Sequence, residues 1–386
     1  MVTNPVYALI AVIIALLAIW SIAYKYGSPS AQGRYASIDG LRGYLAFFVF
    51  LHHGSVWYFY LHTDRWQLPP SNLFTHFGQS SVAFFFMITG FLFYGKVLEA
   101  GHKKIDWARL YASRFLRLFP LYLFSILILL LIVAIESKGI LQVPLTSLLT
   151  QIATWFGFTI FGKPDVNAVA GTELINAVVT WSLAYEWFFY LILPVLALFA
   201  KNIPPIRYLI LSVVGGTIIA MQEPVYGAKA FLSGIVAAYL VKNIRFKKFA
   251  DTRFASMLVI IFLILAVVTS PIAHGVKPLA LLSMAFILVA CGNNLFGVLI
   301  HPISRTFGEL SYSIYLLHGM LLYVIFKLIL GEKAKMLSVN EYWMIIFTMI
   351  PILILICSTT FRLIEKPAMY STDKVMRWFK LSFTKK

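Results

Sequence analysis

Four ionisable side chains stand inside long apolar runs of this 386-residue chain: His52, His53, Glu186 and His318. A charge held in lipid costs several kcal/mol, so each is a candidate for chemistry before any other residue is considered. An imidazole titrates near neutrality and suits proton removal from a hydroxyl, or transient carriage of a transferred group. Each also has a plainer reading, a hydrogen bond between packed helices. Neighbouring helix residues point about 100° apart, so His52 and His53 are poorly placed to ligate one metal, and no H-E-x-x-H spacing occurs. No metal site is expected. Arg42 lies eleven residues before His53. Eleven steps of about 100° overshoot three turns by only about 20°, so the two share one helix face about 16 Å apart. Such a stripe can connect an anion at one membrane surface to a base near the midplane, and it favours His53 over His52. Arg114 and Arg117, spaced i, i+3, offer the forked geometry that binds phosphate, although positive-inside anchoring with snorkelling stems explains them equally well.

The elements that must position these groups are membrane helices. Hydrophobic residues make up 60% of the chain and charged residues 12%, against about 45–50% and about 25% in soluble domains. A soluble fold could not cover such a surface, and neither disorder nor nucleic-acid binding fits the composition. The net charge of +17 matches contact with anionic membrane lipids. Two cysteines, Cys291 and Cys357, sit in apolar runs and exclude a disulfide framework. Apolar runs long enough to cross, about 20 residues, occur near 5–24, 43–62, 79–97, 118–136, 179–200, 206–222, 226–241, 256–273, 278–297, 310–330 and 342–364. A twelfth, 144–162, is more polar. Reading it as re-entrant or interfacial puts three quarters of the 32 Lys and Arg on one face, from Lys25, Arg34 and Arg42 through to Lys385 and Lys386, as cytoplasmic loops require. The expected fold is an all-α polytopic bundle of eleven helices, N-terminus outside and C-terminus cytoplasmic. Residues 1–24 lack a basic leader segment and read as a retained helix. In this topology His53 lies about ten residues from the cytoplasmic face, His318 about eight, and Glu186 about seven from the outer face, so all three are expected to reach one central cavity.

Several segments together resemble the acyltransferase 3 family of integral-membrane acyltransferases. Ser37-Ile-Asp-Gly-Leu-Arg-Gly43 leads into Arg42 and His53 in that family's Arg-x10-His spacing. Ser81-Val-Ala-Phe-Phe-Phe-Met-Ile-Thr-Gly-Phe91 is similar to a second-helix motif that usually ends Ser-Gly-Phe, with Thr89 keeping the hydroxyl. Arg114-Phe-Leu-Arg117-Leu-Phe-Pro120-Leu-Tyr122, Thr180-Trp-Ser-Leu-Ala-Tyr-Glu186-Trp-Phe-Phe-Tyr190, Phe307-Gly-Glu-Leu-Ser-Tyr-Ser-Ile-Tyr-Leu-Leu-His318 and Arg362-Leu-Ile-Glu-Lys-Pro367 follow in the family's order. The resemblance covers residues 37 to 368 and divides the chain into an extra helix at 1–30, a ten-helix core at 31–370 and a basic tail at 371–386. It lacks the fused extracytoplasmic esterase domain of some members.

The resemblance implies transfer of an acyl group, acetyl above all, from cytoplasmic acyl-CoA to a hydroxyl of a cell-envelope polysaccharide, lipopolysaccharide or lipid-linked sugar. His53, Arg42 and Glu186 are then the catalytic candidates. Arg114, Arg117, Arg42, Thr89, Gly90, Phe91 and His318 are the donor-binding ones. Glu186 either orients His53 or holds acceptor hydroxyls. The location implied is the bacterial inner membrane, alone, as a homo-oligomer or with a separate periplasmic transferase. Two other readings stay open: a carrier of a glycan, lipid or drug without chemistry, and a translocator that passes acyl groups to such a partner. The absence of repeated halves weighs against a carrier.

Overall fold

The computed structural model describes residues 1–30, 35–101, 103–222 and 227–383. Arg34, Lys385 and Lys386 of the charge count, and the first residue of the run at 226–241, lie outside the described residues. The helices are α1 (Pro5–Tyr26), α2 (Ala36–Thr63), α3 (Asn72–Ala100), α4 (Trp107–Glu136), α5 (Leu145–Phe156), α6 (Trp181–Phe199), α7 (Ile206–Gln222), α8 (Ala228–Leu240), α9 (Ile244–Ala250), α10 (Arg253–Thr269), α11 (Val276–Ala290), α12 (Pro302–Glu309), α13 (Ser311–Tyr323), α14 (Val339–Thr360), α15 (Lys366–Tyr370) and α16 (Thr372–Phe383). Among the described residues there is no strand, only one isolated bridge between Val166 and Val169. The all-α expectation holds.

Among the described residues, six helical stretches are long and apolar enough to cross a membrane, and a seventh is formed if α9 and α10, bent by 73°, count as one span. The count of eleven full spans is not reproduced. Helix α2 has the length, 28 residues, but His52 and His53 dilute its hydropathy. Helices α7, α8 and α11 contain 17, 13 and 15 residues. At about 1.5 Å per residue, α8 reaches only about 20 Å of a hydrocarbon core about 30 Å thick. The apolar run at 278–297 breaks because the helix ends at Ala290 and Cys291 caps it. The run at 144–162 yields α5, a helix of 12 residues. About 18 Å long, it is too short to cross, in keeping with its interfacial reading.

The chain forms two compact units. The first comprises Met1–Leu98 and Val225–Leu355. Here α1 turns Ala8, Ala11, Ala15 and Ile19 inward and Leu9, Ile13, Leu17 and Trp20 outward, the pattern of a helix with one face in lipid. Its Tyr7 stacks on Trp343 of α14 at 5.0 Å and donates to Asn340 Oδ1 at 2.6 Å. The core of this unit is α2, which packs against both α12 and α13. Glycine makes the first of these packings possible. A side chain on Gly40 would collide with the Leu299 carbonyl oxygen, and one on Gly308 with that of Asp39. The glycines of the Ser37–Gly43 and Phe307–His318 segments therefore let two backbones touch, and α13 continues from that crossing along α2.

The second unit comprises Glu99–Pro224 and Ile356–Lys386. Asp106 caps α4 by accepting from the Arg109 N–H at 2.9 Å. The π-turn Phe361–Glu365, α15 and α16 all pack on α4, and Arg109 pairs with Asp373 at 2.8 Å. Tyr122 donates to the Trp155 carbonyl at 2.5 Å, which fixes α5. Helix α6 lies on α7.

Candidate active site

In the first unit His53 meets His318. His53 Nδ1 lies 2.9 Å from His318 Nε2, although the two are 265 residues apart in sequence. The hydrogen bonds around the pair fix where its protons sit. His318 Nδ1 is 2.9 Å from the Ile314 carbonyl oxygen, one turn back on α13. A carbonyl only accepts, so His318 carries its proton on Nδ1 and presents a lone pair at Nε2. His53 Nδ1 must then donate to His318 Nε2. The second nitrogen of His53, Nε2, is left with a lone pair. His318 is fully buried, whereas His53 is partly exposed, so His53 is the member of the pair open to a reactant. The arrangement is an imidazole held in one tautomer by a second, unexposed imidazole, the geometry that a general base requires.

The neighbouring His52 is held elsewhere. Its Nδ1 donates to the Phe74 carbonyl at 2.7 Å, and its ring fills the space that a Gly78 side chain would need. The helical phase that set His52 apart from His53 is borne out. Arg42 is half-buried on α2 three turns before His53. Thr89 and Phe91 are buried on α3, and Gly90 sits where a side chain would strike the Phe231 carbonyl of α8. A residue that the sequence did not single out covers the imidazole: Trp66, from the α2–α3 loop, stacks over His53 at 6.1 Å with 21° between the rings. Trp57 and Tyr60 brace it edge-on at 5.7 Å each.

Glu186, Arg114 and Arg117 belong to the second unit. The Tyr190 hydroxyl donates to Glu186 Oε1 and also bonds Arg114. A buried phenol thus joins the carboxylate of α6 to the guanidinium of α4. Glu186 and Tyr190 are spaced i, i+4, which brings them onto one helix face. That spacing was the available signal for Tyr190. Arg117, read alongside Arg114 as a phosphate ligand, turns to a different partner. Its Nη1 is 3.5 Å from Glu365 Oε2 and 2.8 Å from Met369 Sδ. Glu365 has no exposed surface. It is a further ionisable group away from water, disguised in sequence by the basic run around it.

Removing the phenolic hydroxyl tests this linkage. Tyr190→Phe leaves two polar groups without their bridge in a site where Tyr190 is 1% exposed. We expect a loss of about 1–3 kcal/mol, read as a lower thermal midpoint in detergent. Combining it with Glu186→Gln should cost clearly less than the sum of the two, because both remove one interaction. Additive losses would contradict a shared network.

The paired imidazoles of His53 and His318, the arginines of α4 and the glycine crossings all stand in segments that one family model covers: an acyltransferase domain matching residues 35–362. The chain belongs to the acyltransferase 3 family. It is accordingly a membrane acyltransferase. No curated protein and no solved structure matches it. The acyltransferase 3 match begins at the start of α2 and leaves α1 outside. It closes at Arg362, three residues before Glu365.

Proposed function

We propose that this acyltransferase moves an acyl group, acetyl foremost, from cytoplasmic acyl-CoA to a hydroxyl of a cell-envelope polysaccharide, lipopolysaccharide or lipid-linked sugar, from the bacterial inner membrane. The observation that carries the reading is the His53–His318 pair, with its lone pair on His53 Nε2. Esterifying a hydroxyl requires a base at the acceptor proton. The acceptor O–H proton passes to His53 Nε2, the acceptor oxygen bonds to the thioester carbonyl carbon, and the C–S bond then breaks. The departing thiolate takes the proton back from His53, so the enzyme ends as it began. His318 Nε2 accepts from the imidazolium while it exists. Arg42 and Arg114 supply cations for the phosphates of the donor. In this reading the basic ends of α4 and α7 and the tail face the cytoplasm.

The test uses the full chain in lipid nanodiscs with radiolabelled acetyl-CoA and extracted envelope glycans. Label should move to the glycan as a base-labile ester with stoichiometric release of CoA. Folded protein that neither binds acyl-CoA nor releases CoA from it, yet moves glycan or lipid across a bilayer, would replace this reading by that of a carrier.

A further inference from the structure

Helices α8 and α11 of the first unit pack on each other and line a small cavity of about 210 Å³. Lys229 and Ser233 come from α8, His274 from the turn before α11, and Ser283 from α11 itself. The two hydroxyls tie the helices together. Ser283 donates to the Leu279 carbonyl at 2.6 Å, so Ser233 donates to Ser283 Oγ at 2.7 Å. The Ser233 oxygen keeps its lone pairs, facing a ligand as an acceptor. Lys229 and His274 form no hydrogen bond or ion pair among the described residues, and no acidic residue lines the cavity. Lys229 also stands where a cation is least favoured. It is in the first turn of α8, at the positive end of the helix dipole, and no side chain caps that end. The cavity is thus built with positive charge on one part of its wall and a hydroxyl acceptor on another.

Depth decides which anion can reach it. Helix α8 rises only about 20 Å over its 13 residues, against a hydrocarbon core about 30 Å thick. Lys242, just past its far end, donates from Nζ to the Leu98 carbonyl at 3.1 Å. An end of so short a helix falls inside the hydrocarbon layer, where an unpaired ammonium costs several kcal/mol. A phospholipid phosphate drawn down to Lys229 removes that cost, whereas a soluble anion must leave water to do so. Leu232 and Val236 of α8 and Met284 of α11 are exposed on the same two helices, an apolar track for an acyl chain. We propose that this cavity binds an anionic phospholipid with a hydroxylated headgroup, of the phosphatidylglycerol type. Its phosphate accepts from Lys229 and His274, and a headgroup hydroxyl donates to Ser233 Oγ. A zwitterionic headgroup brings a second ammonium beside Lys229 and leaves the positive charge of the site uncompensated. The site stands whether or not the acyl-transfer reading does.

The test is native mass spectrometry of the full chain released from nanodiscs of phosphatidylglycerol mixed equally with phosphatidylethanolamine. Phosphatidylglycerol should stay bound in preference. Lys229→Ala combined with His274→Ala should lower its retention about tenfold or more, as loss of hydrogen bonds to a charged group predicts. Lys248→Ala removes an exposed cation of α9 and should change retention by less than about twofold. Ser233→Ala should weaken phosphatidylglycerol by about twofold to tenfold and leave phosphatidic acid, which has no headgroup hydroxyl to give, unchanged. Equal retention of the two nanodisc lipids by the unaltered protein would overturn the proposal, and so would an equal loss in Lys248→Ala, since either reports attraction by the whole basic surface. Displacement of the lipid by millimolar glycerol 3-phosphate would also overturn it and reassign the cavity to a soluble phosphate. The lipid comparison and the glycerol phosphate arm use unaltered protein, so they decide the matter even if a variant fails to fold.

Discussion

Replacing His53 by alanine should lower acyl transfer by about 10²- to 10⁴-fold, the contribution expected of a positioned general base, with acyl-CoA affinity unchanged. The expectation follows from proton placement. His53 Nδ1 is engaged by His318 Nε2, so Nε2 is the nitrogen available to an acceptor hydroxyl. His318 acts through His53 as a positioning residue and is best tested by two replacements. Glutamine at 318 retains an oxygen that can accept from His53 Nδ1, whereas leucine of similar bulk offers none. His318→Gln should therefore keep substantially more activity than His318→Leu, while both bind acyl-CoA like the parent. Single-turnover rates with labelled acetyl-CoA and glycan give the comparison. Equal losses in the two variants would mean that His318 only fills space, and an active His53→Ala would remove the base from His53 altogether.

How much of this was legible beforehand depended on whether the signal was local. The Arg42–His53 face and the divergence of His52 follow from helix phase alone; α2 is continuous through all three residues, and His52 turns to the Phe74 carbonyl. The short α5 was readable because its segment mixes Thr, Ser and Gln into an apolar run. The His53–His318 contact was not readable as a contact. Spacing placed the two at similar depth, but their meeting depends on Gly308 resting against Asp39 and sending α13 along α2. Trp66 sits in a polar loop with no periodicity to mark it. The count of eleven spans was not confirmed, for a related reason. Hydropathy measures apolar runs, not helix continuity: α8 ends at Leu240 ahead of Lys242 and Asn243, and α11 at Ala290 ahead of Gly292-Asn293-Asn294, with apolar residues resuming only beyond that turn. Glu365 was hidden by its neighbours: Arg362 and Lys366 make the segment look like a cytoplasmic tail, while the π-turn carries the carboxylate against α4.

That buried carboxylate gives the largest expected effect on stability. Glu365→Ala should cost about 3–5 kcal/mol, as removal of one partner from a buried ion pair does. Glu365 has no exposed side-chain surface and Arg117 only 11%, so neither charge has water to fall back on. The pair also ties the π-turn after α14 to α4, with Met369 of α15 as a second acceptor for Arg117. Removing both charges is a different experiment. Arg117→Met with Glu365→Leu replaces the pair by apolar groups of similar volume, which is often neutral or stabilising. The double variant should recover most of the thermal midpoint lost by Glu365→Ala, measured as survival of the monodisperse species after heating in detergent. It also separates two roles for the arginine pair. With Arg117 engaged by Glu365, we expect the double variant to bind acyl-CoA within about threefold of the parent, and Arg114→Ala to bind it about tenfold more weakly or worse. A double variant that is stable but has lost acyl-CoA would show that Arg117 reaches the donor in spite of Glu365, and the two arginines would then act as one phosphate site.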